Sequence, residues 1–188
     1  MLRDRSIRLD VHPEVYAPAE DTYLLLSTIE VHRGERALEM GCGSGLIAMH
    51  MAKAGACVTA VDTDERAVTA PRNSALMNDL QVRTVLSDLF HEVKCRFDLI
   101  VFNPPYLRGE VQGQEDLCWA GGGDGVRLTA RFLGQARDRL EPGGRILLLI
   151  SDDMEPDALE SALKDWSVET VARQTLFFEE LRVLRLTL

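Results

Sequence analysis

Arg36-Ala37-Leu38-Glu39-Met40-Gly41-Cys42-Gly43-Ser44-Gly45 decides the fold. A short, mostly apolar run enters a turn rich in glycine, and Leu46–Ala54 follows with the length and spacing of an amphipathic helix. Strand, glycine turn and helix in that order open a βαβ unit. Glycine permits positive φ and lets a ligand approach the backbone, so a turn in this place reads as a binding loop. The plain alternative is a tight turn that holds nothing.

The alternation continues outward from that loop. Apolar runs at Cys57–Val61, Val82–Leu86, Asp98–Phe102 and Arg145–Ile150 predict strands, and Glu65–Asn78 and Val126–Leu140 predict crossover helices. In the second of these helices Val126, Thr129, Leu133, Ala136 and Leu140 form one stripe, and Pro142-Gly143-Gly144 ends it. Pro71 falls inside the first, where it predicts a kink or a later start. A helix over Pro156–Lys164 precedes two strands, Val168–Arg173 and Arg182–Leu188, with no helical stretch between them, so that pair is antiparallel. The expected class is α/β: a Rossmann-like, seven-stranded, mostly parallel sheet with helices on both faces and a C-terminal antiparallel hairpin. A single domain over residues 1–188 is expected, with residues 1–20 as an N-terminal extension.

Composition narrows the partners. The chain has 30 acidic and 21 basic residues, a formal net charge of −9, and no basic run. Non-specific nucleic-acid binding needs Lys and Arg against phosphates, so such a partner is disfavoured. No apolar run approaches the ~20 residues that span a bilayer. The N-terminal MLRDRSIRLDV is too charged for a signal peptide, which predicts a cytosolic protein. Cys42, Cys57, Cys95 and Cys118 form no CxxC pair and the four histidines are scattered, so neither a disulfide framework nor a metal site is expected.

Two ligand classes compete for the glycine loop. A dinucleotide fingerprint wants Gly or Ala at its sixth position, where this chain has Leu46. Glu39, at the strand's end, is a poor neighbour for a pyrophosphate but suits a ligand carrying an ammonium and a sulfonium. That favours S-adenosylmethionine. Asp62 ends the second strand, 21 residues beyond Gly41, where a carboxylate can accept from both ribose hydroxyls. Asp64 reads as a helix N-cap. Asp88, after the third strand, could accept from an adenine amino group or cap a turn.

The fourth strand runs into Asn103-Pro104-Pro105-Tyr106. Asn-Pro after a strand can be a mere turn signal. At this place in this fold, the Asn103 side-chain oxygen and the Pro104 carbonyl form a paired acceptor for both hydrogens of a planar –NH2, with Tyr106 stacked on its plane. Holding both N–H bonds frees the nitrogen lone pair for a sulfonium methyl, and the acceptors strengthen as positive charge develops.

These motifs resemble the class I methyltransferases that modify the glutamine of the Gly-Gly-Gln motif in translation termination factors. Val15-Tyr16-Ala17-Pro18-Ala19-Glu20-Asp21-Thr22, Trp119-Ala120-Gly121-Gly122 and the Arg173-Gln174 stretch are similar to the short archaeal and eukaryotic branch. The resemblance implies cofactor contacts at Thr22, Glu39, Gly41, Gly43, Asp62, Asp88, Leu89 and Asn103, and catalytic roles for Asn103, Pro104 and Tyr106. It implies a substrate loop over residues 103–124, although the Gly121–Gly125 run is richer in glycine than the family pattern. It also implies a release-factor substrate and a small zinc-binding activator subunit, without the N-terminal helical domain of bacterial members. Read without the resemblance, Asp21 or Thr22 would be the N-cap of a helix over Tyr23–Val31.

The competing reading is an N6-adenine methyltransferase on DNA or RNA, which uses the same acceptor logic on another planar amine. Base flipping needs phosphate contacts that this acidic chain offers sparsely. Lysine methylation suits a rigid planar pocket less well, and intact Asn103 and Tyr106 argue against a non-catalytic subunit.

Overall fold

The computed structural model describes residues 4–106, 126–176 and 179–188. In chain order the elements are α1 (Glu20–Thr28), β1 (Arg36–Met40), α2 (Leu46–Lys53), β2 (Cys57–Asp62), α3 (Glu65–Met77), β3 (Val82–Leu86) and β4 (Phe97–Phe102). After them come α4 (Arg127–Ala136), β5 (Leu140–Ser151), α5 (Pro156–Leu163), β6 (Ser167–Thr175) and β7 (Glu180–Thr187). Seven strands form one sheet in the order β3-β2-β1-β4-β5-β7-β6. The first five are parallel, and β7 runs antiparallel to both β5 and β6. The expected architecture is the one observed.

Alternation along the strands sends neighbouring residues to opposite faces. Ile146, Leu148 and Ile150 of β5 join a core with Phe132 and Leu133 of α4 and Leu159 of α5. Leu147 and Leu149 join a second core with Leu25 of α1 and Ile47 of α2. Burial on both faces explains why the central strands read as unbroken apolar runs.

Three local expectations are corrected. First, α1 begins at Glu20 with Ala19 as its N-cap, so Asp21 and Thr22 lie inside the first turn. Thr22 Oγ1 reaches back to accept the Ala19 N–H at 3.4 Å. Second, α3 does not start later than Glu65 but continues past Pro71 to Met77. Third, the helix expected to reach Leu140 gives way at Arg137–Arg139 to a 3₁₀ turn, and Leu140 already pairs with Phe97 of β4. The register then jumps so that Arg145 meets Leu99; the intervening glycines, with Gly143 at φ +79°, form the bulge.

The segment before α1 lies along α2 and α3. The Asp4 N–H donates to His50 Nε2, the Arg8 N–H to Asn78 Oδ1 and the Asp10 N–H to Ser74 Oγ, each at 2.9 Å. That anchoring carries Val15 and Tyr16 to the C-terminal rim of the sheet.

Candidate active site

Crossovers from β1 lead to β2 on one side, and β4 closes the other side from further along the chain. Such a reversal leaves a crevice beyond the strand ends. A cavity of about 190 Å³ lies there, and Glu39, Gly41, Gly43, Asp62, Leu89 and Asn103 are among its walls. Thr22 and Asp88 line it as well. All eight residues expected to contact a cofactor therefore meet at one place. Of the Asn-Pro-Pro-Tyr run, Asn103 and Pro105 reach this wall. Pro104 is buried beside it, and half-buried Tyr106 packs against both cores.

Glu39 has two tasks. The N-cap of α2 is Gly45, which has no side chain to satisfy the helix's first N–H groups. Glu39 reaches across from β1 and accepts the Ala48 N–H at 2.7 Å. Burial pushes its carboxyl up to about 8, against the opposing pull of that N–H, and the nearby Asp62 charge adds to the rise. A buried acid this costly to ionise suits a cationic ligand, which would restore the carboxylate.

Asp62 accepts the Gly43 N–H at 3.0 Å and the Asp64 N–H at 3.1 Å, which fixes its carboxylate against the glycine loop. Burial raises its pKa too, although these backbone donors oppose the rise. Asp64 is the N-cap of α3 as expected, accepting the Arg66 N–H at 2.8 Å. Asp88 is engaged by Arg131, whose guanidinium stands 2.7 Å from Oδ2. A ligand amine would meet the remaining oxygen or displace that exposed pair. Leu89 sits at φ +48°, a conformation that is strained for a branched residue. Ser87 holds it there: the Ser87 hydroxyl donates to the Leu89 carbonyl and accepts the Glu92 N–H, both at 3.0 Å.

Asn103 is held by a residue from far away in the chain. Its Nδ2 donates to Asp21 Oδ2 at 2.8 Å, and Asp21 is 4% exposed. Asp21 also accepts from the Tyr16 hydroxyl at 2.9 Å on both oxygens, and from the Thr22 N–H at 2.6 Å. Burial, followed by the Asp21 charge, holds the Tyr16 hydroxyl far above its usual pKa, so it remains a donor. The Asn103 Oδ1 is buried and has no hydrogen-bond partner among the described residues. Asp21, Tyr16 and Ser87 were not singled out from the sequence as site residues. The Asp21–Asn103 contact joins positions 82 residues apart, so no local pattern encodes it.

Among the described residues no group of His, Cys, Asp and Glu is placed to hold a metal ion, and no helix is long and apolar enough to cross a membrane.

Comparison with known proteins places the chain among methyltransferases. A Methanocaldococcus jannaschii protein, named as a candidate protein N5-glutamine methyltransferase, is 36% identical over 186 residues, covering 95% of this chain and 94% of its own. The release factor glutamine methyltransferase of Deinococcus radiodurans is 32% identical over 173 residues, covering 85% of this chain and 62% of its own. Ribosomal RNA small subunit methyltransferases C are relatives too. The fold matches E. cuniculi Mtq2, solved in a complex with Trm112 that methylates the eRF1 termination factor, with a TM-score of 0.73 at 22% identity over 92% of this chain and 98% of that one. The methyltransferase small domain model matches residues 7–178, and the chain belongs to that family.

Proposed function

We propose that this chain transfers a methyl group from S-adenosylmethionine to N5 of the glutamine in the Gly-Gly-Gln motif of a translation termination factor, in the cytosol. The observation that carries this reading is Asn103, whose buried Oδ1 has no hydrogen-bond partner among the described residues and which lines the same cavity as Glu39 and Asp62. The donor set fits the cofactor: Glu39 for its ammonium, Asp62 for the ribose hydroxyls, Asp88 and Leu89 for the adenine. The cofactor supplies an electrophilic methyl on a positively charged sulfur.

Asn103 Oδ1 and the Pro104 carbonyl accept the two hydrogens of the glutamine amide, and Tyr106 covers its plane. So held, the nitrogen turns its lone pair toward the methyl carbon. With the cofactor bound, the new C–N bond would form as its C–S bond breaks, sulfur keeping the bonding pair and one amide proton leaving to water. No strong base is needed, because positioning and the fixed acceptors carry the charge of the transition state. Residues 103–124 form the substrate loop in this proposal, of which 107–124 lie outside the described residues.

A small zinc-binding activator subunit completes the proposal. Its support is the open edge of the sheet at β3, whose Leu86 is exposed, and the exposed Leu76 and Met77 at the end of α3, which leads into that strand; Leu76 is 77% exposed. An open sheet edge and exposed apolar side chains both invite a partner.

Kinship with ribosomal RNA methyltransferases makes nucleic acid the second reading, which the net charge of −9 disfavours. The test offers labelled cofactor with two substrates, a Gly-Gly-Gln protein and an adenine-containing oligonucleotide, with and without the activator. Label in the glutamine of the protein is expected. Label in the oligonucleotide alone overturns the proposal.

A further inference from the structure

We infer that Asp21 is a positioning residue that fixes which end of the Asn103 amide faces the incoming nitrogen. The inference rests on the reading that Asn103 Oδ1 accepts from the target –NH2. An amide has an acceptor end and a donor end of nearly equal size, and only one of them serves here. With Oδ1 outward it accepts from the target; with Nδ2 outward it presents hydrogens to hydrogens and repels it.

The surroundings of Asp21 decide between the two. Among the described residues, every hydrogen bond to its carboxylate comes from a donor: the Tyr16 hydroxyl, the Thr22 N–H and hydroxyl, and Asn103 Nδ2. A carboxylate has only acceptors to offer, so a flipped Asn103 would set its own oxygen about 2.8 Å from an anionic oxygen. Burial of Asp21 removes the water that could screen that repulsion. The bond is charge-assisted and, among the described residues, shares its oxygen with Tyr16, while Oδ1 of Asp21 takes both Thr22 contacts. Asp21 thus selects the orientation without contacting the target.

Substitution with a near-isosteric amide tests this. In Asp21→Asn, Oδ1 keeps the Thr22 donors and the new –NH2 takes the place of Oδ2, facing Asn103. Asn103 then turns its oxygen inward, and turnover falls about 10²-fold at saturating cofactor, the scale of losing one transition-state acceptor. The melting temperature changes little. The exchanged pair D21N/N103D rescues: the amide introduced on α1 donates to the carboxylate introduced after β4, an anionic oxygen faces the target, and activity recovers at least tenfold over D21N. A merely structural Asp21 gives no such rescue.

A second readout needs no turnover. The Asn103 side-chain amide signal in NMR, assigned by its loss in N103D, is shifted downfield by the carboxylate and moves on D21N. Unchanged turnover in D21N, a double variant no better than the single one, or an unmoved amide signal each overturns the inference. Should the wild-type enzyme label an oligonucleotide rather than the glutamine, the glutamine reading fails, and the same variants read the role of Asp21 on the adenine amine.

Discussion

The thiol of Cys42 donates to the Ala67 carbonyl at 3.3 Å, and that carbonyl is the one whose helical donor Pro71 cannot supply. An α-helix bonds each N–H to the carbonyl four residues earlier, so a proline at 71 orphans the carbonyl at 67. The glycine loop repairs it from outside the helix. Burial keeps the thiol protonated, pushing its pKa well above the ordinary value, which preserves it as a donor. Cys42→Ala is expected to destabilise the protein by about 1–3 kcal/mol by leaving that carbonyl buried and unpaired. In a Pro71→Ala background, where the substituted residue supplies the missing N–H, the same change costs less. Urea unfolding of the four proteins tests this; additive costs would refute the pairing.

Gly45 meets the other side of the same proline. A Cβ at this position would lie 2.6 Å from Pro71 Cγ, and its φ of +74° disfavours any L side chain. Gly45→Ala is expected to cost about 1–3 kcal/mol through overpacking and left-handed strain together. A denaturation midpoint equal to that of the wild type would show that α3 yields more freely than this contact implies.

Glu39 sets a pH dependence. Its folded-state pKa is about 8, above the 4.5 of a free glutamic acid, so the folded chain holds a proton that the unfolded chain releases. The sign follows: its contribution to the stability of the unliganded protein is full below pH 4.5 and is lost as pH rises through 8. Binding of an ammonium requires the carboxylate, so cofactor affinity moves the other way and rises up to about tenfold per unit between roughly pH 6 and 7. Calorimetry across that range checks it, together with proton release on binding. Glu39→Gln keeps an acceptor for Ala48 and is expected to fold normally while binding cofactor weakly; Glu39→Ala loses both tasks. Flat affinity across the same range would mean that the carboxylate is not the ammonium partner.

Asn103→Ala removes the acceptor proposed for the target nitrogen. Turnover at saturating cofactor is expected to fall about 10²–10³-fold, by analogy with loss of one oxyanion donor. Initial rates on a Gly-Gly-Gln protein measure it, and near-normal methylation would end the proposed mechanism.

Most of the sheet was legible because β1, β4 and β5 are buried on both faces and so spell continuous apolar runs in the sequence. The acids at the ends of β1 and β2 were legible for a related reason, since a carboxylate closing such a strand has no core to enter. That α3 starts ahead of Pro71 has no local signal, because a donor to the Ala67 carbonyl comes from Cys42, 25 positions away. Leu140 reads as helix in the sequence because its stripe continues into the 3₁₀ turn; pairing with Phe97 makes it strand. Asp21 passed for a helix cap because caps and buried ligands share the same residue types, and its partner lies just past β4. Arg131 on Asp88 was invisible for the same reason: both contacts exist only once the sheet and α4 have come together.

The place of β7 bears on how the molecule is made. The last strand in sequence is an inner strand, wedged between β5 and β6. A nascent chain emerges N-terminus first, so β6 leaves the ribosome with no neighbour to join, and β5 waits with one side bare. Assembly of that half of the sheet is therefore deferred until residues 180–187 are free of the exit tunnel. A polypeptide lacking residues 180–187 would leave the facing borders of β5 and β6 unsatisfied, a species ready to aggregate.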